Sequence, residues 1–284
     1  MNSIAFAVGE NWPALGLGTW RMGESAGSRA AEIAAVRQAI ALGYRVIDTA
    51  EMYGEGGAET VVGQALAQAL RAGDVTRDEL FIVSKVYPHN ASRSGTAAAC
   101  DRSRQRLGLD RIDLYLLHWR GAHPLAETVG AFEALQVRDA IRHWGVSNFD
   151  ADDLAEMARV PGGTRCASNQ VFYALSERGV EFDLLPRMRA TAMPLMAYCP
   201  LAQGQLARHA GLQAIGERLG ASAAQVALAW MLAQPGVMAI PKAVRETHLR
   251  DNLAAAALSL TPDDRAALDR LFPPPAARTA LAVI

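Results

Sequence analysis

Asp48, Tyr53, Lys85 and His118 are the residues of this chain whose types could do chemistry together. Three of them close short apolar runs: Asp48 ends "RVID", Lys85 ends "FIVSK" and His118 ends "DLYLLH". Tyr53 follows in the loop "TAEMYG". A carboxylate and an ammonium in a dry site must neutralise each other, because neither charge is tolerated alone. The Lys85 ammonium beside the Tyr53 phenol should favour phenolate and lower its pKa from about 10. A phenol tuned this way donates a proton to an alkoxide developing at a carbonyl carbon. An N–H of His118 can hydrogen-bond the same oxygen and fix its direction. The group is machinery for protonating a carbonyl oxygen. No side chain supplies a hydride, so a nicotinamide is the implied partner.

These residues can meet only if the runs that carry them lie side by side. Short apolar runs at 14–18, 45–49, 79–85, 112–118, 141–149, 166–171, 194–200 and 237–242 alternate with longer segments of helical period. Strands buried on both faces read as continuous apolar runs, and parallel strands need helical crossovers. Eight strand-then-helix units predict an α/β fold, a closed (β/α)₈ TIM barrel forming one domain over 1–284. An open doubly wound sheet is the alternative. The first helix should take Ser28 as N-cap and stop at Gly43. Residues 3–18 predict a short β-hairpin turning near Gly9 that caps the barrel. "TPDDRAALDRLF", with Thr261 as cap and Pro262 at the first position, predicts an extra C-terminal helix. In a barrel every strand end faces one mouth. Ser147, Asn148, Gln170, Tyr198 and Lys242 then join Asp48, Lys85 and His118 there. Trp20, Tyr87 and Trp119 flank strand ends, and with Tyr53 and His118 they are the candidate substrate wall.

Composition narrows the partners. The 284 residues carry a net charge of -1, which gives no electrostatic case for nucleic acid or an anionic membrane. No run approaches the roughly 18 apolar residues of a membrane span. Cys100, Cys166 and Cys199 lack the spacing of a metal site and read as buried thiols in a reducing compartment. A cytoplasmic location without a leader segment is the expectation.

Over nearly its whole length the chain resembles the aldo-keto reductase family. "LGLGTW", "GYRVIDTAEMYG" with Glu59, "VSK", "DLYLLHW", "GVSNF", "NQV", "AYCPLAQG" and "IPKA" stand in the family's order and spacing. The resemblance implies an NADPH-dependent reductase, monomeric, acting on a small-molecule carbonyl. It implies Asp48, Tyr53, Lys85 and His118 as a catalytic tetrad with Tyr53 as general acid. Ser147, Asn148 and Gln170 would hold the nicotinamide carboxamide, and Tyr198 would stack on its ring. Thr19 and Trp20 would belong to the same cofactor site. Pro200, Leu201 and Gln203 would lie along the pyrophosphate. Lys242 would meet the 2′-phosphate, with Ile240, Pro241, Ala243, Val244 and His248 around it, and Asp251 and Asn252 at the adenine. "DTAEMYG", "SKVYP" and "LLHW" are most similar to bacterial members that reduce methylglyoxal, diketo-gluconate and related small dicarbonyls. Ala243 departs from the family's usual Ser, and His248 from its usual Arg. A histidine at the 2′-phosphate is charged only below a pKa of about 6.5, so NADPH affinity would weaken as pH rises.

Other patterns carry less. "GESAG" matches a nucleophile elbow, but "TWRM" separates it from the preceding strand, so Ser25 is not placed as a nucleophile. "GEGGAE" lacks the last glycine and the acidic partner of a dinucleotide fingerprint. His118 and His123 have no third ligand for a metal. Met188, Met193, Met196 and Trp230 read as core. Two other functions fit a barrel: a lyase using Lys85 as a Schiff-base nucleophile, and a non-catalytic NADP(H)-binding subunit that senses redox state.

Overall fold

Apolar runs without a polar face have no place except between two covered surfaces, and the eight runs fold accordingly. The computed structural model describes residues 3–6 and 10–284. β1 (Ser3–Ala5) and β2 (Asn11–Pro13) pair antiparallel, Ile4 opposite Trp12. The expected hairpin is therefore present, while its turn at Gly9 lies outside the described residues. Phe6 and Trp12 each pack 5.0 Å from the Phe81 ring. Glu10 ties the hairpin to the barrel through Arg142 at 2.6 Å.

Eight parallel strands follow: β3 (Leu17–Gly18), β4 (Val46–Asp48), β5 (Phe81–Val86), β6 (Ile112–Leu117), β7 (Ile141–Ser147), β8 (Asn169–Phe172), β9 (Leu195–Tyr198) and β10 (Val237–Ala239). Each pairs with the next in chain order. Closure is made by bridges from Leu15 to Ala239 and from Gly18 to Lys242. Across this seam the Gly16 amide donates to Ala239 O at 2.9 Å and the Gly18 amide to Pro241 O at 3.2 Å. The seam needs glycine: a Cβ on Gly18 would sit 2.6 Å from Ile240 O. The result is the closed (β/α)₈ barrel.

Helices alternate with the strands: α1 (Arg29–Ala41), α2 (Gly57–Ala72), α3 (Arg93–Leu107), α4 (Leu125–Val137), α5 (Ala151–Met157), α6 (Leu184–Ala190), α7 (Ala210–Leu219), α8 (Ala223–Leu232), α9 (Glu246–Ala255) and α10 (Pro262–Leu271). Caps set where several of them begin, and so how long each loop at the mouth is. Ser92 accepts the Gly95 amide, and Asp150 accepts the amides of Asp152 and Asp153. Thr261 and Asp264 cap each other at α10, each side-chain oxygen accepting the other's amide, as expected for the extra helix. Ser28 differs from expectation. Its backbone is already helical and its side chain makes no cap bond; the hydroxyl instead donates to Ser25 O at 3.2 Å.

The tail after α10 returns to the mouth. Arg278 pairs with Asp152 at 2.8 Å and Asp183 at 2.9 Å, and touches Asp150 at 3.5 Å. Beyond this clasp the chain runs to Ile284 at the edge of the central cleft. Met188, Met196 and Trp230 are buried in the core, and Met193 packs partly buried against it. Cys100 and Cys166 are buried as expected, with burial pushing both thiols up to about 12. Cys199 corrects the expectation. It is half-buried and lines the cleft, because β9 ends one residue earlier and turns there through a φ of 48°.

Candidate active site

Strands β4 and β5 are adjacent, with Asp48 in register with Val83. Their polar ends therefore meet inside the mouth. Lys85 Nζ donates to both Asp48 oxygens at 2.8 and 2.9 Å, to Thr49 O at 2.9 Å and to the Tyr53 hydroxyl at 3.3 Å. From β8, Gln170 Nε2 donates to Asp48 Oδ1 at 2.7 Å. Lys85 and Asp48 are both buried. Burial pushes the Asp48 carboxyl up and the Lys85 amine down, each opposed by the charge of the other. The hydrogen bonds decide for the charged pair. Three of the four neighbours of Nζ, the two Asp48 oxygens and Thr49 O, can only accept, which suits the three hydrogens of an ammonium. An ammonium so committed is a poor nucleophile, which weighs against Schiff-base chemistry at Lys85.

Tyr53 stands in a short 3₁₀ turn opened by left-handed glycines at Gly54 and Gly56. Its pKa differs in sign from the sequence expectation: it lies well above the usual phenol value. Burial is the main cause, the Asp48 carboxylate adds to it, and Cys199 and Tyr198 contribute less. Burial and the Asp48 charge thus outweigh the nearby Lys85 ammonium, and the phenolate is not drawn out. Tyr53 is thus a neutral phenol, the form that holds a proton to give. His118 lies with its ring 5.7 Å from Tyr53, edge-on at 75°. Burial and then the Lys85 ammonium hold its imidazolium pKa well below the usual value. A neutral imidazole beside a neutral phenol is a pair of hydrogen-bond donors without net charge, suited to a carbonyl oxygen.

These groups floor the cleft at the mouth of the barrel. Trp20, Met52 and Trp119 wall one part of it, and Ile240, Tyr198 and Ile284 another. The Arg21 guanidinium lies 4.5 Å over the Trp20 ring. Tyr87 does not reach the lining. It packs against Trp119, rings 5.1 Å apart, at the entry to the 3₁₀ turn Pro88–Asn90.

The residues expected around a dinucleotide divide into two sets. Ser147, Asn148, Gln170, Tyr198, Ile240 and Lys242 line the cleft together with Trp20 and Asp48. Asn148 is left-handed at φ 59°; its Nδ2 donates to His118 O at 3.1 Å and its Oδ1 accepts from Tyr198 OH at 2.9 Å. Tyr198 stacks one face on Phe172 at 5.8 Å. Ser147 Oγ donates to Gln170 O at 2.8 Å, and Thr19 is buried with its hydroxyl on Asp48 O at 2.9 Å. Further out, the loop after β9 carries Pro200 and Leu201, with Ala202 and Gln203 left-handed at φ 47° and 54°. Within this loop the Ala202 amide donates to Cys199 O at 2.8 Å, the Gly204 amide to Leu201 O at 2.9 Å and the Gln205 amide to Ala202 O at 3.1 Å. Pro241, Ala243 and Val244 follow β10 and precede α9. Asn252 is buried with its amide at the Tyr44 hydroxyl, and Asp251 is exposed, its carbonyl accepting Gln225 Nε2 at 3.3 Å.

Arg245 was missed in the sequence. It caps α9, and its Nη2 lies 2.5 Å from His248 Nε2. The guanidinium can only donate in this contact, so a second permanent cation beside Lys242 stands next to the histidine at the start of α9. The signal was available: an Arg three residues before the histidine, at a helix start, where both reach one side.

The model of the aldo/keto reductase family matches residues 14–272. The chain belongs to the aldo/keto reductase family. Methylglyoxal reductase YeaE of Escherichia coli (strain K12) is 46% identical over 286 residues, 99% of this chain and 98% of that one. Glyoxal reductase of Bacillus subtilis (strain 168) is 36% identical over 270 residues, 95% of this chain and 92% of that one. The crystal structure of an aldo-keto reductase from Klebsiella pneumoniae in complex with NADPH superposes with a TM-score of 0.94 at 46% identity, covering 100% of this chain and 99% of that one. Among the described residues of this aldo/keto reductase no cluster of metal-ligating side chains occurs, and no helix is long and apolar enough to cross a membrane.

Proposed function

We propose that this aldo/keto reductase uses NADPH to reduce small aldehydes and α-dicarbonyls of the methylglyoxal type, with Tyr53 as the proton donor. The observation that carries the reading is the Tyr53 hydroxyl, 3.3 Å from a Lys85 ammonium that is itself held by Asp48, at the floor of a cleft beside neutral His118. NADPH, when bound, supplies the hydride. The chain's own residues handle the oxygen. An N–H of His118 accepts no proton; it hydrogen-bonds the carbonyl oxygen and orients it. As negative charge develops there, the Tyr53 O–H bond breaks and its proton moves to that oxygen, giving the alcohol. The phenolate left behind is stabilised by the Lys85 ammonium, whose hydrogen bond to it then joins two opposite charges. Ser147, Asn148 and Tyr198 suit the nicotinamide end. Lys242 and Arg245 suit a 2′-phosphate.

The substrate class is supported by two observations. Trp20, Trp119 and Ile284 line the cleft together with Asp48, Tyr53 and His118. Relatives covering nearly the whole chain are a methylglyoxal reductase and a glyoxal reductase. The test is NADPH consumption followed by absorbance across a panel of carbonyls. Methylglyoxal and glyoxal should give a higher kcat/KM than a steroid or a long aliphatic ketone; the reverse order would overturn the substrate assignment.

A further inference from the structure

Glu51 lies between Asp48 and Tyr53 and reads in the sequence as an ordinary loop acid. In the structure its carboxylate is buried, 7% exposed as a residue. Oε1 accepts the Tyr87 amide at 2.7 Å and Asn90 Nδ2 at 3.0 Å, and Oε2 accepts Arg102 Nη2 at 3.4 Å. The Glu51 amide in turn faces Lys85 O at 3.5 Å. One residue thus joins the loop after β4, which carries Tyr53, to the strand end and loop after β5, which carry Lys85 and Tyr87. The Tyr87 ring backs Trp119, and the Trp119 ring lies 4.9 Å from His118. A charged group is buried at a cost, and the partners here are chiefly backbone and loop groups that lie next to the mouth.

We propose that Glu51 is a positioning residue, a brace that holds the proton-donor loop and the aromatic wall in one register. It touches neither substrate nor cofactor. It acts through Tyr53 on one side and through Tyr87, Trp119 and His118 on the other. This rests on the proposed reaction, since positioning matters only if Tyr53 must meet an oxygen that His118 also holds. Misplacement of about 1 Å costs a reaction of this kind up to about a hundredfold.

The experiment compares Glu51→Ala and Glu51→Gln with the full chain. Glutamine keeps a carbonyl acceptor for the Tyr87 amide. In Glu51→Ala, kcat with methylglyoxal should fall roughly 10- to 100-fold. NADPH affinity by fluorescence quenching should be unchanged. The isotope effect with NADPH deuterated at the transferred position should increase, because the chemical step slows. Tyr87 amide hydrogen exchange should accelerate. Glu51→Gln should recover most of kcat and the Tyr87 protection. The proposal is overturned if Glu51→Ala keeps full kcat below its melting temperature and loses only stability. It is equally overturned if Tyr87 exchange is unaffected, or if Glu51→Gln is as slow as Glu51→Ala while that amide stays protected. If the unmodified protein reduces no carbonyl, the reaction assignment fails, and the exchange data still decide the brace.

Discussion

Replacing Lys85 by Met removes the ammonium and leaves the Asp48 carboxylate buried with one strong donor, Gln170 Nε2 at 2.7 Å. Breaking a buried pair by removing one partner costs about 3–5 kcal/mol. For a chain this long that corresponds to a melting point lower by roughly 6–15 °C. The loss should depend on pH, with a sign that can be worked out. Burial raises the Asp48 pKa, and without Lys85 nothing charged opposes it. The folded value then exceeds the unfolded value of about 3.9, so the folded state binds the proton more tightly. The Lys85→Met deficit is therefore smallest near pH 4 and grows as pH rises toward the raised folded value. Urea unfolding of variant and parent at matched pH cancels the contribution of the other carboxylates. The double variant Lys85→Met with Asp48→Asn removes the orphaned charge and should regain most of the loss. A deficit below about 1 kcal/mol at neutral pH, or a double variant no more stable than the single one, would refute a charged Asp48–Lys85 pair.

Tyr53→Phe should lower kcat by about 10²–10⁴ with NADPH affinity unchanged in fluorescence titration; near-parental turnover would exclude Tyr53 as the acid. Lys242→Ala and Arg245→Leu should each weaken NADPH about ten- to a hundredfold while leaving NADH nearly unaffected, as losing a charge-assisted bond predicts. Because Arg245 supplies a permanent cation, NADPH affinity should stay flat from pH 6 to 8.5 instead of falling as His248 alone would require; a steep fall would restore the histidine. His118 has a depressed folded pKa, so its contribution to stability is present above about 6.5 and is lost as pH falls. His118→Asn should flatten part of the acid-side loss in a melting series, and His143, also lowered by burial, should retain another part.

What could be read in advance follows from what is local. The barrel was legible because a strand covered on both faces is mostly apolar, and Phe81–Val86 and Ile112–Leu117 are, with Ser84, Lys85 and Asp113 as the polar exceptions. The polar strand ends were legible for the converse reason: a charge closing such a run has few structural uses. Features that depend on competing magnitudes were not legible. The sequence shows Lys85 near Tyr53 and suggests a lowered pKa; only the fold shows that burial and Asp48 outweigh it. Tyr87 sits beside a strand end in the sequence, yet in the fold it packs against Trp119 without lining the cleft. Glu51 has no sequence signal, because its main partner is the amide of a residue 36 positions away. Arg245 had one, its spacing from His248, and that spacing was readable.

The seam between β3 and β10 has a mechanical consequence. β3 spans two residues, so the ring of strands is joined there by a few bonds around Gly16 and Gly18 instead of a full ladder. The pairing of β5 with β6 runs over a longer segment, while β3–β4 and β7–β8 are as short as the seam. A ring yields at its short joints, and local opening follows sparsely bonded segments. Trp20 and Lys242 stand on opposite sides of this joint and both face the cleft. A ligand spanning them acts as a rivet across the gap. Its binding energy then adds to the cohesion of the whole ring, and saturation should be felt as heat resistance far from the mouth.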